Sequence, residues 1–241
     1  MPLTVGSLFS GIGGLDLGLE RAGMRVVWQV EIDRYCQSVL AKHWPATLRF
    51  ADVRECGAHN LAPVDLICGG FPCQDISSNG PKTGIMGVQS GLWSEFARIL
   101  RELRPRFAIV ENVPAMLARG MGTVLGDLAA CGFDAEWQCL PACAFGSPQR
   151  RDRVFIIAHA RDGRFTRIAK RDEHGAFPKQ WDYADGLALA QRRAGDARSW
   201  VRRANRGIPN RVDRVKGLGN AVVPQVAEWV GRRIVESVQE R

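Results

Sequence analysis

Apolar runs alternate with amphipathic stretches over the first half of the chain. Leu3–Phe9, Arg25–Ile32, Thr47–Val53, Val64–Cys68 and Arg106–Val110 are dense in Val, Ile, Leu and Phe, and each predicts a strand. Helical periods lie between them. GLDLGLERAG places Leu15 and Leu19 on one face and ends at Gly23; DRYCQSVLAKHW starts at Asp33 as N-cap, with Pro45 beyond its end. Trp93–Leu103 aligns Phe96, Leu100 and Leu103, and Val124–Cys131 is closed by Gly132. Such alternation predicts a mostly parallel sheet covered on both faces. Asp134–Leu140 and Arg153–Ala160 also read as strands, but the PACAFGSPQRRD between them has no helical period. A parallel crossover normally contains a helix, so this pair is expected to be an antiparallel hairpin. A last helix, Val223–Val238, carries Val226, Val230, Ile234 and Val238 four apart, with Pro224 in its first turn.

Composition narrows the class. The 241 residues suffice for one sizeable core, and 46% of them are apolar. No run approaches the ~18 apolar residues of a membrane span. The start, MPLTVGSLFSGIGG, lacks a charged leader and reads directly into a strand, so a cytoplasmic protein is expected. The seven cysteines are an odd number, which favours free thiols. Cys139 and Cys143 are a loose pair and the four histidines are scattered, so no metal site is expected. Charge is uneven. Residues 1–148 hold 12 Lys/Arg against 14 Asp/Glu, whereas residues 149–241 hold 21 against 11. A basic C-terminal part fits a polyanionic partner, most simply nucleic acid, or a solvated basic face. Residues 161–206 lose periodicity, are rich in Arg, and interleave Phe165, Phe177, Trp181, Tyr183 and Trp200.

Four stretches can carry chemistry. In FSGIGGLDLG, Gly11, Gly13 and Gly14 follow a strand and open a helix, and Glu31 ends the next strand. That arrangement lets backbone approach a ligand while a carboxylate holds ribose hydroxyls. It suits NAD and S-adenosylmethionine equally, and a plain strand-to-helix turn is the other reading. Asp52, at the end of the third strand, can accept from an adenine amino group or serve as a turn residue. In GGFPCQDIS, Cys73 follows a buried strand, two glycines and Pro72, which places its thiol at the C-terminal edge of the sheet. The following SSNGPKTGIMGVQSG carries four glycines and reads as a lid. Glu111 in IVENVPAM closes an apolar strand at the same edge, where a carboxyl with a raised pKa can donate a proton. In PQRRDRVFIIA, Gln149, Arg151 and Arg153 alternate into the last strand and are expected on one face, where two guanidiniums suit a carbonyl oxygen or a phosphate.

FSGIGG, the Glu31 and Asp52 strand ends, GGFPCQDIS, ENV, QRRDR and GNAVVPQ occur in this order, and the chain strongly resembles the cytosine-C5 DNA methyltransferases. The likeness covers about residues 3–160 and 207–236, and in its trimmed length the chain resembles small phage and prophage members. It implies an α/β class I S-adenosylmethionine-dependent methyltransferase fold (Rossmann-like), mostly parallel and ending in an antiparallel hairpin, with a small basic loop-rich recognition region. It implies a catalytic and cofactor domain over 1–160, a short target-recognition region over 161–206, and a C-terminal segment over 207–241 that returns to the first domain. Cys73 would attack C6 of a flipped cytosine in double-stranded DNA. Glu111 would hold the N3/N4 edge, Arg151 with Arg153 the O2 side, and Gln149 the catalytic loop. S-adenosyl-L-methionine, leaving as S-adenosyl-L-homocysteine, would lie against Phe9, Ser10, Gly11, Gly13 and Gly14. Glu31 would bind its ribose, Ile32 and Val53 flank its adenine, and Asp52 bind the adenine amino group. Pro72, Leu92, Asn220 and Val222 would complete that pocket. The recognition region is short for the family, and GIPNRVDRVKGL stands where an arginine-bearing segment is usual. Base readout is therefore expected to be short and degenerate, to come from a partner protein, or to be met by the aromatic and Arg-rich stretch with phosphate contacts giving most of the affinity. The main expectation is a monomeric enzyme. The alternative is a weakly active or partner-dependent nucleic-acid-binding subunit.

Overall fold

The computed structural model describes residues 1–72, 92–147, 149–161 and 210–239. Cys73, the glycine-rich stretch after it and nearly all of 161–206 lie outside these residues. Seven strands form one sheet in the order β3-β2-β1-β4-β5-β7-β6. They are β1 Thr4–Leu8, β2 Arg25–Val30, β3 Leu48–Phe50, β4 Leu66–Gly69, β5 Phe107–Asn112, β6 Phe133–Pro141 and β7 Asp152–Ala160. β1 to β5 pair in parallel. β7 inserts antiparallel between β5 and β6, so the expected hairpin forms. β1 turns to β2 on one side and lies beside β4 on the other, and this reversal opens a crevice at the C-terminal strand ends.

The helices are α1 Gly14–Arg21, α2 Arg34–His43, α3 Leu92–Leu103, α4 Met116–Arg119, α5 Met121–Ala130, α6 Arg211–Asn220 and α7 Pro224–Gln239. Buried β-strands fill both faces. Leu8, Ile67, Ala108 and Val110 join Phe96 and Leu100 of α3 and Val124 of α5 in one cluster. Their strand neighbours Val5, Leu66, Phe107 and Ile109 join Leu15 and Leu19 of α1 and Val226, Val230 and Ile234 of α7 in the other. Each such side chain contributes about 1.5–3 kcal/mol by leaving water. α1 and α7 come unusually close. A Cβ on Gly14 would stand 2.2 Å from the Val222 carbonyl oxygen, and one on Gly18 2.4 Å from the Pro224 oxygen. The two glycines four apart in α1 are what let the C-terminal segment return against it.

Three expectations need correction. The third strand ends at Phe50 rather than Val53, because Asp52 caps a 3₁₀ turn over Val53–Glu55 with its side chain. GIPNRVDRVKGL runs into the helix α6, which the sequence reading did not expect. Its apolar residues Val212, Val215 and Leu218 are 78%, 62% and 68% exposed, so the helix has no core-facing stripe to announce it. The third concerns Gln149, Arg151 and Arg153. β7 begins only at Asp152, Arg151 sits before it with φ of +32°, and Gln149 is exposed. A left-handed turn at Arg151 breaks the alternation that would have put the three on one face. Among the described residues no helix is long and apolar enough to cross a membrane.

Candidate active site

The crevice is a cavity of about 540 Å³. Every residue expected to hold a cofactor lines it except Gly13. Gly13 instead makes the turn into α1 with φ of +84°, where a Cβ would meet the Trp44 ring. β1 ends at Leu8, and Phe9 takes a left-handed conformation, φ +53°, that swings the chain across the sheet edge. The Ser10 amide donates to the Val30 carbonyl at 3.1 Å and locks this loop to β2. Glu31, just past β2, accepts from the Gly11 amide at 2.7 Å and the Asp33 amide at 2.8 Å. Burial raises its pKa, and the Asp33 and Gly11 amides oppose the rise. Beside it Ile32 is 65% exposed on the cavity wall, facing the same space as buried Val53. Asp52 lines the cavity too, but its carboxylate already accepts from the guanidinium and amide of Arg54.

The other half of the cavity lies over β4 and β5. Glu111 is 7% exposed. Burial pushes its carboxyl up to about 7 against the pull of Arg153 and Arg151. Arg153 Nε forms an ion pair with Glu111 Oε1 at 3.0 Å, and that buried oxygen has no well-aligned hydrogen bond. Such an orphan acceptor is rare in native interiors and marks a place for a donor. Gly70 allows the arrangement, since a Cβ there would stand 2.5 Å from Glu111 Oε2. Phe71 is buried against Trp93, with ring centroids 5.4 Å apart, and Pro72 lines the cavity. Cys73 follows Pro72 directly in the chain and lies outside the described residues.

Several residues of the site escaped the sequence reading. The Asn112 amide donates to the Phe71 carbonyl at 3.3 Å, and its oxygen accepts from the Val113 amide at 2.8 Å, so it ties the end of β5 to the segment before Cys73. A signal was present: an amide inside an apolar strand needs partners. Lys216 and Gly217 of α6 also line the cavity, and Lys216 Nζ pairs with Asp33 at 2.7 Å. Among the expected residues, Arg153 reaches Glu111 but Arg151 does not turn that way. Its Nη1 donates to the Gly219 carbonyl at 2.6 Å and its Nη2 to the Ala221 carbonyl at 2.7 Å. Gln149 stays at the surface, its backbone N–H donating to Ser147 Oγ at 3.2 Å.

The C-5 cytosine-specific DNA methylase family model matches residues 3–195. The chain is 37% identical over 164 residues to Type II methyltransferase M2.BsuMI of Bacillus subtilis, covering 65% of this chain and 42% of that protein. It is 36% identical over 160 residues to Type II methyltransferase M.FnuDI of Fusobacterium nucleatum, covering 65% of this chain and 46% of that one. It therefore spans less than half the length of these curated relatives. A solved structure described as a DNA modification methyltransferase encoded within an E. coli prophage superposes with a TM-score of 0.61 at 29% identity, over 75% of this chain and 52% of that one. The sheet order, with β7 antiparallel between β5 and β6, is that of a class I Rossmann-like methyltransferase. Family match, relatives and sheet agree: the chain belongs to the C-5 cytosine-specific DNA methylase family.

Proposed function

We propose that this chain transfers a methyl group from S-adenosyl-L-methionine to C5 of a cytosine in double-stranded DNA, releasing S-adenosyl-L-homocysteine. The observation that carries the reading is the buried Glu111 carboxyl, with one oxygen lacking a hydrogen bond, in the same cavity as the glycine loop and next to the segment that leads into Cys73. The cavity suits the cofactor. Gly11 leaves its side of the loop free of any Cβ contact, Glu31 presents a carboxylate, and Ile32 with Val53 offers an apolar slot for a flat ring. When bound, the cofactor supplies an electrophilic methyl group on a sulfonium.

The chain's own residues do the rest. The Cys73 thiolate adds to C6 of a cytosine flipped out of the duplex, which makes C5 nucleophilic. Glu111, about half protonated at pH 7, donates its proton to N3 as the thiolate attacks, and its other oxygen accepts from the exocyclic amine. Arg153 faces the O2 side and holds Glu111 in place. After transfer, C5 loses its proton to water, the C6–sulfur bond breaks to return the thiolate, and N3 gives its proton back to Glu111. Asn112 keeps the backbone before Cys73 against β5 while this happens. The basic C-terminal part supplies phosphate contacts that hold the duplex whatever its sequence.

Bisulfite sequencing of DNA from cells expressing the protein tests the reaction. Protected cytosines in one repeated context support it and reveal the target. Scattered protection means that readout beyond cytosine is weak. No protection from soluble protein favours a partner-dependent subunit. The adenine slot has its own test. Ile32→Ala is expected to weaken cofactor binding by about five- to tenfold through lost apolar contact. Thermal stability should stay level, since the side chain is 65% exposed without ligand. Titration of S-adenosylhomocysteine by calorimetry reads this, and unchanged affinity would remove the adenine from that slot.

A further inference from the structure

Residues 216–222 cross the cavity as a strap from the end of α6 to the start of α7, and Lys216, Gly217, Asn220, Ala221 and Val222 line it. α6 brings no buried apolar stripe, so the strap depends on a few anchors. At one end Lys216 pairs with Asp33, and Gly217 lies so close to Ile12 that a Cβ would stand 3.0 Å from its methyl group. At the other, Arg151 grips the carbonyls on either side of Asn220 with its two terminal nitrogens. Just beyond Ala221, the Val222 carbonyl rests on Gly14 of the glycine loop. Arg151 belongs to the turn that enters β7, two residues from Arg153 and its partner Glu111. A charged fork holding two neutral carbonyls is a directional clamp that lysine cannot reproduce.

We propose that Arg151 is a positioning residue for the cofactor half of the site: by clamping Gly219 and Ala221 it holds the 216–222 strap against the glycine loop, rather than binding the cytosine. This rests on the reading of the cavity as the S-adenosylmethionine pocket. It departs from the role at O2 of cytosine that the family resemblance assigns to this position. The two roles move different quantities. A clamp on the strap acts on cofactor affinity, whereas a cytosine contact acts on turnover and on the KM for DNA.

The test is calorimetric titration of S-adenosylhomocysteine into the wild-type protein, Arg151→Ala, Arg151→Lys and Lys216→Met, with steady-state kinetics beside it. Loss of two charge-assisted hydrogen bonds should weaken S-adenosylhomocysteine binding by about tenfold or more in Arg151→Ala. The KM for S-adenosylmethionine should rise in step, with kcat at saturating cofactor falling less than the affinity. Arg151→Lys should lie between, and Lys216→Met, which loosens the other end of the strap, should show the same signature. Amide hydrogen exchange over 217–222 should quicken in Arg151→Ala and not in an exposed control such as Arg232→Ala. A fall in kcat or a rise in the KM for DNA at unchanged S-adenosylhomocysteine affinity overturns the proposal. If Arg151→Ala does not fold, the lysine variant decides by the same comparison. A wild-type protein that binds no S-adenosylhomocysteine overturns the cavity reading and this proposal together, and the wild-type titration alone distinguishes that result from failure of the clamp.

Discussion

Glu111→Gln is expected to slow methyl transfer by about 10²- to 10⁴-fold, the usual worth of a positioned proton donor, and to flatten the pH dependence of stability. The second effect follows from burial. Glu111 is raised from an ordinary 4.5 to about 7 in the folded chain. The fold therefore favours the protonated form. The stability this confers is whole below about pH 4.5 and is lost as pH rises through 7. From the size of the shift, wild type should lose roughly 2–3 kcal/mol more than Glu111→Gln between pH 5 and pH 8. Asp16, buried under α1 with Gln29 and Ser7, is raised to about 6 by burial and drifts in the same direction. It does so in both proteins, so the difference between them isolates Glu111. Urea unfolding midpoints measured across this range read the effect. Cys73→Ala supplies the comparison: it should abolish transfer yet keep the wild-type pH profile. Parallel profiles for Glu111→Gln and wild type would mean that Glu111 is ionised in the fold and is no proton donor at neutral pH.

How legible this site was in the sequence depends on how local each cause is. Asp33 caps α2 by accepting from the Tyr35 and Cys36 amides, an interaction spanning three residues that the sequence states outright. The two-sided burial of β4 and β5 follows from their uninterrupted apolar runs, and the hairpin from a missing helical period. Glu111 stands out because a carboxylate closing such a run must be buried. The fate of Arg151 was not legible. It turns on a left-handed φ at a non-glycine residue and on carbonyls about seventy positions away. Backbone acceptors leave no mark in a sequence. α6 was hidden for a related reason: its anchors are an ion pair to Asp33, a glycine against Ile12 and the Arg151 clamp on the Gly219 carbonyl, not an amphipathic stripe. The polar clamp on the site was thus the part least visible, while the apolar scaffold was the most.

Gly70→Ala should damage the site from the other side of Glu111. The added methyl would stand 2.5 Å from Glu111 Oε2 and 3.4 Å from the Glu111 carbonyl oxygen, so the carboxylate must move and the backbone is barely touched. On an exposed glutamate such a shift costs little. Here the side chain is buried and held beside Arg153 at 3.0 Å, so it has few other places to go. A displacement on the order of 1 Å at a reacting group costs about 10²-fold in rate, and overpacking costs about 1–3 kcal/mol in stability. Stability measured in pairs locates the cause. In a Glu111→Ala background the space opposite Gly70 is open, so the same Gly70→Ala change should cost less by about 1 kcal/mol or more, a coupling typical of residues in contact. An equal cost in both backgrounds would place the clash on the backbone of β5 instead. The packing of Gly70 against the carboxylate would then not be what aims Glu111 into the cavity, and Arg153 alone would have to do so.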